Sequence, residues 1–222
     1  MSSATSTVGE LQHIHGDAAL LHRGTPLDSA SSAMILVHGR GATAASILTL
    51  ADELPKDGMA YVAPQASGQT WYGYSFMAPR EANEPGLSSG LRRLDEAVEE
   101  LGTAGIGPDR IVLLGFSQGA CLALDYAARQ ARRYAGVVAY SGGLIGPPGM
   151  SWDDLPANLD GTPVFLGCSD RDAHVPLERV QESERVMKRL GADVEARIYP
   201  GMPHTIIEDE ILWTRDLLAG LG

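Results

Sequence analysis

The sequence predicts an α/β fold in which a mostly parallel central sheet is covered by helices on both faces. The first observation is that apolar, strand-like runs alternate along the chain with segments of helical spacing. The second is the stretch IVLLGFSQG, residues 111–119, in which an apolar strand runs directly into a serine between two glycines. The third is the composition, since 222 residues with 44% hydrophobic and 20% charged side chains fit one globular domain. We therefore expect a single domain over residues 1–222, with little or no cap domain.

Six apolar runs are short enough to be strands and are separated by helical or polar segments. The predicted strands are Ala33–Val37, Ala60–Ala63, Ile111–Leu114, Gly136–Tyr140, Val164–Gly167 and Val194–Ile198. Residues 1–24 are expected to add an antiparallel edge hairpin or to be partly mobile.

Helical spacing separates these runs. One helix is predicted between a serine N-cap, Ser88 or Ser89, and Gly102 as the stop, because apolar residues recur between them every three or four positions. Pro176 is expected to open another helix and Gly191 to close it. The remaining predicted helices are an early segment around Ile47–Leu54 that ends before Pro55, the segment Ala120–Arg129, and a last helix with Ile207, Ile211 and Leu218 as its buried stripe.

The longest stretch without a clear element is residues 64–87, which is rich in aromatic side chains. A connection of this length in a compact domain is usually functional or mobile. It is either a loop pinned to the core by its aromatic residues or a wall of a substrate pocket, and the two interpretations are compatible. The residues predicted to line a pocket are Trp71, Tyr72, Leu144, Ile145 and Met202.

Charge and composition exclude several classes of function. A formal net charge of −11 argues against nucleic acid and anionic membrane surfaces as partners. No apolar run approaches the roughly 20 residues that a membrane span needs, and no secretory signal is visible, so a cytoplasmic location is expected. The two cysteines, Cys121 and Cys168, form neither a metal cluster nor a disulfide framework and are expected to be buried thiols.

The serine turn is the strongest chemical signal. In the pentapeptide Gly115–Gly119 a strand-to-helix turn would strain the backbone of Ser117, and glycines at both ends remove Cβ atoms that would collide with it. The following helix would direct its N-terminal N–H groups towards the serine oxygen. We therefore predict that Ser117 is a nucleophile.

A serine nucleophile needs a base, and the base needs an orienting acid. His204 follows the strand ending at Ile198, which is the position expected of the base, whereas His174 is expected at the rim. Asp170 and Asp172 both follow the strand Val164–Gly167, and either could be the acid, with Asp172 favoured.

Two backbone N–H groups should stabilise the oxyanion that forms during acyl transfer. One belongs to Gln118, directly after the nucleophile. The segment His38–Gly41 is similar to an oxyanion turn of the HG type, which makes the Arg40 N–H the second candidate. The side chain of Arg40 either attracts an acidic substrate group or points to water.

Four motifs in this order, LVHGRG, GFSQGA, DAHVP and YPGMPH, resemble the phospholipase/carboxylesterase family of α/β-hydrolases, which includes acyl-protein thioesterases and small bacterial carboxylesterases. The resemblance extends from about Ala33 to the last helix and implies the α/β-hydrolase fold. It places the nucleophile at Ser117 and the base at His204. It selects Asp172 as the acid, because the family's aspartate is followed by two residues and then Val-Pro, here Val175–Pro176.

The chain departs from the thioesterase branch of this family at residues 40–42 (Arg-Gly-Ala), at Gly119–Ala120 and in the aromatic segment 70–76. These differences favour a serine carboxylesterase that hydrolyses short to medium acyl esters through an acyl-enzyme. We expect no cofactor and no metal, a small-molecule ester as substrate, no nucleic acid partner and no membrane span. The resemblance also allows a weak homodimer. The alternatives are a lysophospholipase or acyl-protein thioesterase and, in another class, a non-catalytic hydrolase-fold binding protein.

Overall fold

The computed structural model of the chain describes residues 13–16, 18–130, 132–156 and 158–221. Within these ranges, seven strands form one sheet in the order β1-β3-β2-β4-β5-β6-β7. Strand β1 is antiparallel to β3, and every other neighbouring pair is parallel. The strands are β1 Leu21–Gly24, β2 Ser32–Val37, β3 Met59–Ala63, β4 Ile111–Phe116, β5 Gly136–Tyr140, β6 Pro163–Ser169 and β7 Asp193–Tyr199.

Six α-helices lie among the described residues, and short 3₁₀ turns occur at Ser67–Gln69, Arg80–Asn83 and Pro108–Arg110. The helices are α1 Ala44–Ile47, α2 Leu50–Glu53, α3 Gly86–Thr103, α4 Gln118–Arg129, α5 Leu177–Arg189 and α6 Glu208–Ala219. None of the described helices is both long and apolar enough to cross a membrane.

The sheet separates two apolar cores, because successive residues of a strand point to opposite faces. On β2, Ile35 packs in the core beneath α3, α4 and α5, whereas the adjacent Leu36 packs in the core beneath α1, α2 and α6. Helices therefore cover both faces of a mostly parallel sheet, and the predicted fold class is confirmed.

All six predicted strands are present, and none is extended by more than two residues at either end. The expected edge hairpin differs from the observed arrangement. Among the described residues, Leu21–Gly24 pairs with β3 and has no hairpin partner in the N-terminal segment. Residues 1–12 lie outside the described ranges, so the single domain over residues 1–222 stays a prediction.

The start of α3 was predicted from its serines, but the helix begins earlier, at Gly86. The Glu84 carboxylate accepts hydrogen bonds from the Ser88 N–H (3.1 Å) and hydroxyl (2.7 Å). Ser89 lies inside the helix, and its hydroxyl oxygen accepts the His15 N–H at 3.0 Å. The serines of this helix therefore bind partners that the local pattern does not show.

The early helix is also divided. The segment predicted as one helix around Ile47–Leu54 forms two short helices, α1 and α2. Thr43 caps α1, since its side chain accepts the Ser46 N–H at 3.1 Å. The predicted opening of α5 at Pro176 and its closure at Gly191 are confirmed.

Candidate active site

Ser117 lies in a strained turn between β4 and α4. Its backbone has φ +55° and ψ −120°, a left-handed region that non-glycine residues rarely adopt. The Ser117 N–H donates to the carbonyl of Tyr140 at 2.9 Å, and the Ser117 carbonyl accepts the Cys121 N–H at 3.0 Å. The turn is thus held by pairing with β5 on one side and by the first turn of α4 on the other.

The flanking glycines are required for a reason that differs from the one expected. A Cβ atom on Gly115 would lie 2.4 Å from the backbone of Gly119, and a Cβ on Gly119 would lie 2.1 Å from the carbonyl oxygen of Val37. The predicted collision was with the serine itself. The glycines instead let the start of α4 pack directly against the ends of β4 and β2.

Three side chains distant in sequence meet at this turn. The Ser117 Oγ lies 2.8 Å from His204 Nε2, and His204 Nδ1 lies 2.7 Å from Asp172 Oδ2. An ionised carboxylate only accepts hydrogen bonds, so Nδ1 carries the proton and the lone pair of Nε2 faces the serine hydroxyl. The imidazole therefore has the tautomer that a general base for Ser117 needs.

Asp172 and Asp170 have separate partners. The Asp172 side chain is fully buried, and its Oδ1 accepts the N–H groups of His174 (2.8 Å) and Val175 (3.1 Å). Burial opposes ionisation of Asp172, but the hydrogen bond from His204 and these two N–H donors outweigh it and lower the pKa of the carboxyl group. Asp170 instead accepts the Gly201 N–H at 2.7 Å.

Asp170 therefore holds the loop that leads to His204, and this contact was not predicted. The position of Asp170 agrees with the selection of Asp172 as the residue that contacts the His204 imidazole. His174, expected at the rim, packs edge-on against His204 with ring centroids 4.7 Å apart. Phe116 packs on His204 as well, at 5.0 Å between centroids.

The glycine turn after β2 lies against Ser117. A Cβ on Gly39 would be 3.3 Å from the Phe116 carbonyl oxygen and 3.4 Å from the Ser117 Cβ. Gly41 has φ +75°, and its N–H donates to the Gln69 carbonyl at 2.8 Å. Gln118 is the first residue of α4, where a backbone N–H has no acceptor within the helix. Arg40 and Gln118 both line the cavity at Ser117, as the two candidate oxyanion donors must.

The cavity in front of Ser117 has a volume of about 540 Å³, which is within the usual range for small-molecule sites. Arg40 is the only Lys, Arg, Asp or Glu among its lining residues in the described part of the chain. The lining residues are Gly39, Arg40, Ala42, Tyr72, Gly73, Tyr74, Ser75, Phe76, Phe116, Ser117, Gln118, Cys121, His174, Val175 and His204.

Of the residues predicted to line the pocket, the structure places Tyr72 in the cavity wall and the others elsewhere. Trp71, Leu144 and Ile145 are fully buried in the core, and Met202 is 8% exposed outside the lining set. The sequence showed that these residues are apolar and lie in loops at the correct edge of the sheet, but apolar side chains there also fill the core. The cavity wall is instead the segment Tyr72–Phe76 together with Phe116 and Val175.

Trp71 packs against His38, the residue that begins the glycine turn after β2. Its indole N–H donates to the His38 carbonyl at 2.9 Å, and its ring lies 5.0 Å from the His38 ring and 5.4 Å from that of His15. Burial lowers the pKa of both histidines, which favours their neutral form. The aromatic segment therefore has both expected roles, because Trp71 is pinned to the core and the next five residues form the wall.

Both cysteines are buried free thiols, as predicted. Burial raises the pKa of each thiol to about 12, which makes them unreactive near neutral pH. Within the described ranges, no three His, Cys, Asp or Glu side chains are grouped so that they could hold a metal ion.

The fold and the Ser117 site define the class of protein as an α/β-hydrolase. Residues 24–219 match the sequence profile of the phospholipase/carboxylesterase family, and the chain belongs to that family.

Similar proteins of known structure support the assignment to this family. A phospholipase/carboxylesterase structure from Dyadobacter fermentans superposes with a TM-score of 0.87 and 43% identity, covering 90% of this chain and 95% of that one. The structure of an esterase called PE8 has a TM-score of 0.74 at 25% identity and covers 92% of this chain and 98% of its own.

Among curated proteins, acyl-protein thioesterase 1 of Gibberella zeae is 30% identical over 135 residues, which are 60% of this chain and 57% of that protein. The chain therefore matches little more than half the length of this relative.

Proposed function

We propose that the protein is a serine carboxylesterase in which Ser117, His204 and Asp172 form the catalytic triad. The observation that supports this most directly is the unbroken hydrogen-bonded chain from the Ser117 Oγ through His204 to the buried Asp172 carboxylate, with distances of 2.8 and 2.7 Å. Each atom has the donor or acceptor role that acyl transfer requires.

The reaction proceeds through an acyl-enzyme. Ser117 Oγ attacks the ester carbonyl carbon while His204 Nε2 takes the hydroxyl proton. The N–H groups of Arg40 and Gln118 stabilise the tetrahedral oxyanion. His204 then gives its proton to the leaving alcohol, and a water molecule, activated by the same nitrogen, hydrolyses the acyl-serine. Asp172 keeps Nδ1 protonated and stabilises the imidazolium throughout.

The decisive experiment is ester turnover by Ser117→Ala. The variant should lose on the order of 10³ to 10⁶ in kcat, because the covalent route is removed. Ser29→Ala is a matched control, since Ser29 is exposed and its hydroxyl only donates to the Pro26 carbonyl. A Ser117→Ala enzyme with the wild-type rate would refute the proposal, whereas a wild-type protein without any ester turnover would favour a hydrolase-fold protein that binds without catalysis.

The second candidate is an acyl-protein thioesterase, which is supported by the similarity to acyl-protein thioesterase 1 of Gibberella zeae. A series of p-nitrophenyl esters from acetyl to palmitoyl distinguishes the two. The departures from the thioesterase branch at residues 40–42 and 70–76 support short to medium acyl groups, so we expect the highest kcat/KM below about ten carbons. A maximum at palmitoyl, together with hydrolysis of a palmitoyl thioester, would favour the thioesterase instead.

A further inference from the structure

The side chain of Arg40 makes contacts that were not expected from the sequence. Its guanidinium donates to three successive carbonyls of the cavity wall: Nη2 to Tyr72 (2.9 Å) and Tyr74 (2.8 Å), and Nη1 to Gly73 (3.0 Å). A planar guanidinium is suited to this arrangement, because its donors lie in a fixed fork. Arg40 thus ties the turn after β2 to the wall of the cavity.

Gln118 also binds the Tyr72 carbonyl. Its side-chain Nε2 donates to the Tyr72 carbonyl at 2.8 Å, and its Oε1 accepts the Trp71 N–H at 3.0 Å. The Gln118 side chain is buried, being only 6% exposed. The Tyr72 carbonyl therefore accepts one hydrogen bond from each of the two residues that line the cavity and are the candidate oxyanion donors.

The far end of the wall is anchored independently. Asn83 Oδ1 accepts the Tyr74 N–H at 2.8 Å, its Nδ2 donates to the Ser75 carbonyl at 2.9 Å, and the Phe76 carbonyl accepts the Gly146 N–H at 2.9 Å. If the bonds from Arg40 and Gln118 were lost, the Tyr72 carbonyl would keep only its bond from the Thr70 hydroxyl at 3.1 Å, and Gly73 would lose its side-chain contact, while the end of the wall at Tyr74–Phe76 stayed anchored.

We propose that Arg40 and Gln118 are positioning residues that couple the cavity wall to the oxyanion turn, so that the fit of the acyl group against Tyr72–Phe76 sets the alignment of the two oxyanion N–H donors. This inference rests on the proposed esterase function. The proposed coupling predicts that selectivity for the acyl group appears in kcat as well as in KM. A displaced wall would also displace the N–H donors that stabilise the transition state.

The competing role for Arg40 is that of a fixed positive charge that attracts an anionic substrate. Arg40 forms no ion pair within the described ranges, so its charge is not neutralised there. A lysine at this position keeps the charge but cannot span three carbonyls. The variants Arg40→Lys and Arg40→Met therefore distinguish the positioning role of the Arg40 hydrogen bonds from the effect of its positive charge.

The kinetic test compares wild type, Arg40→Met, Arg40→Lys and the control Arg185→Met across acetyl to decanoyl esters. Arg185 is exposed on α5, so its replacement removes the same charge away from the cavity. We expect both Arg40 variants to lose about tenfold in kcat, less than the 10²–10³ for deleting an oxyanion donor, with an altered chain-length profile, while Arg185→Met is unchanged. An Arg40→Lys enzyme with the wild-type kcat and profile would overturn the proposal and favour the charge.

Hydrogen–deuterium exchange tests the coupling without relying on turnover. In Arg40→Met, peptides covering residues 69–76 should exchange faster than in wild type, and peptides covering β7 should be unchanged. Unchanged exchange at 69–76 overturns the coupling. If the wild-type protein hydrolyses no ester, the proposed function fails, and this measurement still decides whether Arg40 holds the wall.

Discussion

Asp170 and Asp172 lie two residues apart after β6, but they bind different parts of the site. Asp172 accepts the Nδ1–H of His204, whereas Asp170 accepts the backbone N–H of Gly201 in the loop that precedes this histidine. The first contact orients the imidazole, and the second holds the loop. Replacement of each carboxylate by the isosteric amide should therefore have different consequences.

Asp172→Asn should lower kcat by about 10⁴, because an amide can donate to Nδ1 and so stabilise the wrong imidazole tautomer. Asp170→Asn keeps an oxygen that accepts the Gly201 N–H, so its kcat should stay within about threefold of wild type. Ester turnover measured from pH 6 to 9 compares the two variants. A larger loss of kcat in Asp170→Asn than in Asp172→Asn would contradict the roles assigned to the two residues.

At the residue scale, the position of each chemical group along the chain could be predicted, but the partners of the polar side chains could not. The motif DAHVP pointed to Asp172, and its carboxylate lies beside His204. Nothing local indicated that the Arg40 guanidinium would bind the carbonyl of Tyr72, because that contact joins residues 32 apart. Its geometry depends on how two loops pack.

At the scale of elements, β4, the Ser117 turn and α4 form one unit whose packing requires glycine. The closest contact is at Gly119, where a Cβ would lie 2.1 Å from the Val37 carbonyl oxygen. A backbone carbonyl in a central strand cannot move aside as a flexible side chain can. The pentapeptide therefore reflects packing between elements as well as the strained serine.

Gly119→Ala should destabilise the fold by about 3 kcal/mol or more, since it forces the start of α4 away from β2. Gly102→Ala is the control: Gly102 is in α3, and a Cβ there meets nothing within 4 Å. That variant should gain about 0.5–1 kcal/mol from helix propensity. Urea unfolding followed by circular dichroism measures both changes, and equal stabilities would contradict the packing argument.

Strands and the longer helices were predictable because their apolar periodicity is a local property. Short elements and the starts of helices were less predictable from the sequence. The helix expected around Ile47–Leu54 is split into two, and α3 begins at Gly86. Thr43 caps α1, and Glu84, which precedes α3, accepts the Ser88 N–H of its first turn.

At the scale of the whole molecule, Glu210 makes the stability depend on pH. It is fully buried at the start of α6; its Oε2 accepts the Ile207 N–H at 3.0 Å, and its Oε1 has no partner within the described ranges. Burial raises the pKa of Glu210 to about 7, while the Ile207 hydrogen bond opposes the shift and the neighbouring Asp209 adds to it.

A carboxyl group whose pKa is raised on folding stabilises the protein at low pH and loses that contribution as the pH rises through the folded value. Between an ordinary pKa of 4.5 and the folded value of about 7, the loss amounts to about 3 kcal/mol. Thermal unfolding at pH 5 and pH 8 measures it. Glu210→Gln should remove most of this difference.

Glu208→Gln is the matched control, because Glu208 is exposed in the same first turn of α6. It should keep the wild-type difference in unfolding free energy between pH 5 and pH 8. The buried histidines His15 and His38 have lowered pKa values and so destabilise in the opposite direction, as the pH falls. Comparison of each variant with wild type at the same pH cancels their effect.

The sequence by itself determined the class of fold, the order of the strands and helices along the chain, and the family, because these follow from local periodicity and from motifs in a fixed order. The tertiary structure alone decided which apolar residues enclose the cavity and which fill the core. It also decided that Arg40 and Gln118 share the carbonyl of Tyr72. The physical reason is that hydrogen bonds and close packing depend on distances between distant segments, which exist only once the sheet has brought them together.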